Sequence, residues 1–207
     1  MLRSGIVSEF FGIEDKEPLS RDEALAMLRS GECRVMLRVE SRTEAPGQRF
    51  GAYNNGAVDR CIHDVFGTGD ADLRDTHPTP HNDAGLAGPW GDLSRDEATK
   101  YLFGFDKFGQ YKNWFFVEDR LKDEEEYSVI GVYIVSKEFS HAGQFQMIAH
   151  RDEMIHLCDL ALTYKLDATL QELYDAQENS NAGHKRNCGQ SAAHCVPARQ
   201  DVLPGRT

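Results

Sequence analysis

No apolar run in this 207-residue chain approaches the roughly 20 residues that a membrane-crossing helix needs. The longest runs, such as VIGVYIV at 129–135, fall far short, so no transmembrane segment is expected. The opening stretch, MLRSGIVSEFFG, is too short for the apolar core of a signal peptide. Cysteine is sparse and unpatterned. Cys33, Cys61, Cys158, Cys188 and Cys195 make an odd count of five without a regular framework, which points to reduced thiols in a cytoplasm. Basic residues are in deficit: 23 Lys and Arg stand against 34 acidic residues, a formal net charge of −11. That balance argues against a groove following a phosphate backbone, and nucleic acid is not an expected partner. GxSxG, Walker, GxGxxG and HExxH motifs are all missing, which lowers the prior for the hydrolases, nucleotidases and dehydrogenases that use them.

What remains is ample for a core: 40% hydrophobic residues with 10% aromatics. Ser20 stands three residues before Glu23, the spacing of a capping box, and Gly31 follows as a stop, so LSRDEALAMLRSGE reads as a short helix. LSRDEA recurs at 93–98, where Ser94 and Glu97 repeat the capping spacing. Cys33 to Val39 reads as a strand and Tyr127 to Val135 as a central strand, with Gln144 to Ala149 as another and SKEFSHAG as the loop between. Residues 41–92, rich in Gly, Asn, Asp, His and Pro, read as a long functional or mobile loop region. Phe108, Tyr111, Trp114, Phe115 and Leu121 predict an amphipathic helix ending near the acidic run Asp123 to Glu126. Cys158, Leu162, Leu166, Leu170 and Tyr174 recur every four residues, predicting a helical region to about Gln177 with a break at Asp167. The expected architecture is a single α+β domain over residues 1–178, with a small mixed or antiparallel sheet and flanking helices. A flexible C-terminal tail is expected over 179–207.

Three groups of residues carry chemistry. His77, His81 and Asp83, with His63 and Asp64 upstream, are a ligand set suited to a divalent metal. Two prolines hold the segment extended, however, so the histidines do not share a helix face, and the reading favours a rigid loop without a metal. His184, Cys188, His194 and Cys195 suit zinc by type, but adjacent His194 and Cys195 make a poor tetrahedral clamp. Arg38 is the sharper case, a lone guanidinium inside a run otherwise fit for a buried strand. A buried guanidinium is costly unless it is paired or meets an anion. It therefore either aims at a ligand phosphate or carboxylate, or pairs with Glu40 or a neighbour.

The order of pieces LRVES, FGAY, HPTPHND, GFDKFGQYKNWF, GVYIVSK and GQFQMIA, over roughly residues 33–150, resembles proteins encoded in phage genomes. The same order is similar to the ADP-ribosyltransferase fold, in which a first-strand arginine or histidine contacts NAD and a late strand brings a catalytic glutamate. The resemblance implies NAD as cofactor, with Arg38 on its phosphate and Tyr53 and Trp114 walling the pocket. It sets Glu126, from an E-x-E pair with Glu124, or Gln146 against the reacting ribose. Gln144 and Gln146 stand where that family presents an acid, and glutamine cannot supply a carboxylate, so binding without chemistry, or use of another acid such as Asp83, follows as a variant. Under this reading the chain modifies a host protein in the host cytoplasm. The alternative is a non-enzymatic acidic phage protein, a host-factor inhibitor or a virion component, acting through a protein partner.

Overall fold

The computed structural model describes residues 19–41, 50–51, 78–115, 128–163 and 165–190. Helix α1 (Arg21–Ser30) begins where the capping box sets it: the Ser20 side chain accepts from the Glu23 backbone N–H, and the Glu23 carboxylate accepts from the Ser20 N–H at 3.0 Å. It ends at Gly31, whose φ of +84° favours a residue without a side chain. Ala24, Leu25 and Leu28 form its buried face.

Strand β1 (Cys33–Ser41) follows at once. Successive side chains of a strand point to opposite faces, so Cys33, Val35, Leu37 and Val39 share one side and Arg34, Met36, Arg38 and Glu40 the other. Beside β1 runs β4 (Ser128–Ser136), antiparallel and in unbroken register from Cys33↔Ser136 to Ser41↔Ser128. The short β2 (Phe50–Gly51) pairs with Glu40 and Ser41, while β7 (Met154–Leu160) covers the far edge of β4, giving the order β2-β1-β4-β7. A second antiparallel sheet, β3-β6-β5, is built from β3 (Tyr101–Gly104), β5 (Ser140–Ala142) and β6 (Met147–His150).

Each face of the first sheet has its own core. The odd-numbered residues of β1 pack with Ile130, Val132 and Ile134 of β4 against α1 and two further helices. These are α4 (Phe108–Trp114), which contributes Phe108, Tyr111 and Trp114, and α5 (Ala168–Gln190), which contributes Leu170, Leu173 and Ala176. The opposite face sets Met36, Tyr133, Val135 and Met154 against Met147 and Ala149 of the second sheet. The sheets join where Leu37 and Phe105 exchange two backbone hydrogen bonds of 2.8 Å. A Cβ on the preceding Gly104 would stand 2.5 Å from the Leu37 carbonyl oxygen, so glycine permits that approach. Further along the same edge of β1, the Val35 N–H donates to Gln177 Oε1 of α5 at 2.8 Å. A helix side chain thus stands in for a missing strand. Two one-turn helices, α2 (Ala87–Gly91) and α3 (Arg95–Ala98), complete the described α-helices, the second with the expected capping box at Ser94 and Glu97. The protein is a single α+β domain, whose described residues form two small antiparallel sheets. Among the described residues no helix is long and apolar enough to cross a membrane.

Several expectations need correction. The four-residue recurrence from Cys158 to Tyr174 is not one helix: Met154–Leu160 is strand β7, and helix begins only at Ala168, just past Asp167. Pairing with β4 overrides the local helical spacing there. That helix then runs to Gln190 rather than ending near Gln177. Helix α4 stops at Trp114 rather than near Glu126, because Phe115 leaves helical geometry at φ −111°, ψ 66°. In the second sheet, Ser140–Ala142 is a strand rather than loop, and Gln144 to Gln146 are loop rather than strand, with β6 starting at Met147. Within the expected long loop, β2, a 3-10 turn at Pro80–Asn82 and α2 are ordered pieces.

Candidate functional site

Arg38 lies opposite Gly131 of β4, and Glu40 lies opposite Gly51 of β2. Those two glycines leave the space that the charged side chains occupy: a Cβ on Gly131 would stand 2.7 Å from Glu40 Oε2, and one on Gly51 would collide with the Arg38 guanidinium. Arg38 Nη1 donates to Glu40 Oε1, and the Tyr133 hydroxyl donates to Glu40 Oε2 at 2.7 Å. Arg38 is 8% exposed and the other two are fully buried. Of the two sequence readings of Arg38, the pairing with Glu40 is therefore the one seen. Both carboxylate oxygens are engaged, one by a cation and one by a phenol, which is what keeps a buried ion pair tolerable. The Tyr133 ring continues edge-on to His156, 5.3 Å between centroids, whose Nε2 lies 2.9 Å from Asp159 Oδ1.

Four residues back on the same face of β1 stands Arg34, with a different set of neighbours. Asp106, in the turn between β3 and α4, acts on it electrostatically, as do Lys137 just past β4 and His141 on β5. Burial holds the Arg34 guanidinium below its ordinary value, with Asp106 partly offsetting this. Burial likewise raises the Asp106 carboxyl against the pull of Lys107 and Arg34. Lys137 and His141 are both lowered, first by burial and then by the Arg34 charge. Burial, helped by Asp106, also raises the Tyr174 phenol on α5. Like charges gathered beside a desolvated carboxyl mark a place where protonation is strained, a property shared by binding sites and structural networks.

Asp83, weighed as a metal ligand and as a substitute acid, is fully buried and accepts from three successive backbone N–H groups. These are Gln144 at 2.5 Å, Phe145 at 3.1 Å and Gln146 at 3.0 Å. It clasps the β5–β6 turn, and a Cβ on Gly143 would collide with its carboxylate. His81 is exposed, and His63, Asp64 and His77 lie outside the described residues. Among the described residues no three His, Cys, Asp or Glu side chains gather as a metal site. His184 and Cys188 fall in the part of α5 whose side chains are not described, and His194 and Cys195 lie beyond it.

Of the residues assigned to an NAD pocket, Arg38 is in the closed triad just described. Trp114 lies in the helix-side core against Phe105, 5.7 Å between ring centroids, under the opposite face of the sheet. Gln146 is buried in the clasped turn and donates through Nε2 to the Pro78 carbonyl at 2.8 Å. Tyr53, Glu124 and Glu126 lie outside the described residues. The structure therefore does not bring Arg38 and Trp114 together. Arg34, Asp106, Lys137 and His141 went unnoticed in the sequence. The one signal available was parity, since Arg34 shares the face of Arg38 in any strand from Cys33 to Val39.

A family model described as Bacteriophage T4 Y00F protein matches residues 27–161, a span that takes in Arg34, Arg38 and every described strand. No curated protein and no solved structure matches the chain.

Proposed function

The chain belongs to the bacteriophage T4 Y00F protein family, and from that premise we propose that this phage protein acts without catalysis, by binding a protein partner through its acidic surface. The observation that carries the reading is the closed triad. Arg38, the cation an NAD-dependent enzyme would aim at its cofactor, is neutralised inside the molecule by Glu40, and Tyr133 takes the other carboxylate oxygen. The charge that remains outward is mainly negative, with Asp22, Glu32, Asp152, Glu153, Asp167 and Glu178 all exposed. A surface of that sign steers toward basic partners and loses its grip as salt rises.

Capture with the tagged chain from infected-cell extract tests this directly. A stoichiometric partner held at low salt, released at high salt and lost when Asp123 to Glu126 are made neutral supports the reading. A chain that comes through alone at low salt defeats it. The ADP-ribosyltransferase reading rests on residue order, and the separation of Arg38 from Trp114 across the sheet weighs against it. Calorimetric titration with NAD, with nicotinamide release followed in the same samples, separates the two. Saturable binding that disappears in Arg38→Gln would reinstate the NAD site in place of the partner-binding reading.

A further inference from the structure

The second sheet has an inner and an outer face. Leu102, Ala142, Met147 and Ala149 turn inward, to the core shared with the first sheet. Alternation therefore puts Tyr101, Phe103, Ile148 and His150 outward. Phe139, just ahead of β5, joins them: the His150 N–H donates to its carbonyl at 2.9 Å and extends the β5–β6 pairing by one residue. Three rings from three segments thus form a row, with 6.5 Å between the Phe139 and His150 centroids and 5.4 Å between those of His150 and Tyr101. In the next row Ile148 is fully buried and Phe103 lies against Trp90 of α2, 5.3 Å between centroids. The open part of the face is the row that ends at Phe139, which is 39% exposed. An isolated exposed ring is ordinary, but contiguous apolar surface rimmed by charge marks a contact face.

Charge selects the occupant. Next to the row in the chain stand Lys100, Lys137 and Arg151 against Glu138, Asp152 and Glu153, a local balance in a chain of formal net charge −11. A basic partner finds no excess of acid here, and an anionic one no excess of base. A second copy of the chain, repelled elsewhere by its own acidic surface, meets its complement. The arrangement also suits a two-fold axis. β3 and β5 both run antiparallel to β6 and so share a direction, which sets Lys100, before Tyr101, at the same end of the sheet as Glu138, before Phe139. Both are exposed. Turning a second copy over about an axis along β6 lays Phe139 of each copy on Tyr101 of the other and brings Glu138 of each beside Lys100 of the other. We infer that the outer face of the β3-β6-β5 sheet is a homodimer interface of this kind, with Phe139 as its apolar anchor and reciprocal Glu138–Lys100 pairs at its rim. The face is three strands wide, so the dimer is a weak one that forms in the micromolar range.

Sedimentation velocity of the full chain, from low to high micromolar concentration, tests this. The parent should pass from monomer to dimer across that range. Phe139→Ser, at an exposed position outside both cores, should weaken dimerisation by about tenfold or more. Glu138→Lys and Lys100→Glu should each weaken it by about tenfold, and the two reversals together should restore it toward the parent. Net charge alone predicts otherwise for Glu138→Lys, which makes the chain less acidic and would strengthen self-association. A parent that stays monomeric at high micromolar concentration, a dimer indifferent to Phe139→Ser, a dimer strengthened by Glu138→Lys, or a double reversal no tighter than the weaker single would each overturn the assignment.

Discussion

Two positions of β1, four residues apart, present the same residue on the same face with opposite outcomes. At Arg38 the guanidinium meets Glu40 within the strand, Tyr133 completes the carboxylate, and two glycines clear the space. At Arg34 the counter-charge comes from Asp106 in a separate turn, and among the described residues Arg34 Nε and Asp106 Oδ1 have no hydrogen-bond partner. A strand pattern determines which way a cation points. Whether that cation is closed or available depends on what the rest of the chain brings within hydrogen-bonding reach.

The sharpest way to break this comparison is through stability. Glu40→Ala strands a buried guanidinium and a buried phenol, and urea denaturation should show a loss of about 3–5 kcal/mol. Arg38→Met combined with Glu40→Leu should recover much of it, because removing both charges removes the need for either. A smaller effect is expected at Val35, the residue after Arg34. Gln177→Leu leaves the Val35 N–H without its 2.8 Å acceptor and should cost about 1–3 kcal/mol by the same measurement. Arg34→Gln should cost only about 1 kcal/mol, since it removes a half-buried cation whose Nε has no bonded partner among the described residues. A loss matching that of Glu40→Ala would erase the distinction between the two arginines.

The smallest effect concerns pH. Burial raises the Asp106 carboxyl above its ordinary value of 3.8, so the folded chain holds this proton more tightly than the unfolded chain. Stability from the protonated form is complete below about pH 3.8 and is lost as pH rises through the folded value. Asp106→Asn, which never ionises, should therefore be more stable than the parent at neutral pH, with the gain vanishing in acid. Thermal unfolding across that range would show it, and a constant difference at all pH values would remove Asp106 from the titrating cluster.

Much of the scaffold was legible because local rules sufficed. Ser20, Glu23 and Gly31 bound α1, and the apolar runs at Cys33 and Val129 became the paired centre of the first sheet. Strand β7 was misread because Cys158 and Leu162 happen to continue the spacing of Leu166, Leu170 and Tyr174, and only the open edge of β4 decides otherwise. At Arg38 the pairing lay two residues away and could be named in advance as one of two outcomes. The Asp106 neighbour of Arg34 could not, since nothing near Arg34 in the chain announces it. Asp83 was similarly opaque: its three backbone donors lie about sixty residues downstream.

The pairing of β1 with β4 also sets a schedule for synthesis. Glu40 and Tyr133, bonded in the finished sheet, are 93 residues apart in the chain. At ribosomal rates β1 waits roughly 5 to 20 s for its principal partner to emerge. During that wait its apolar side, Val35, Leu37 and Val39, is open to any other unpaired strand. Arg34 and Arg38, spaced along the opposite side, then act as gatekeepers, two like charges that make a β1 strand a poor template for a second nascent β1.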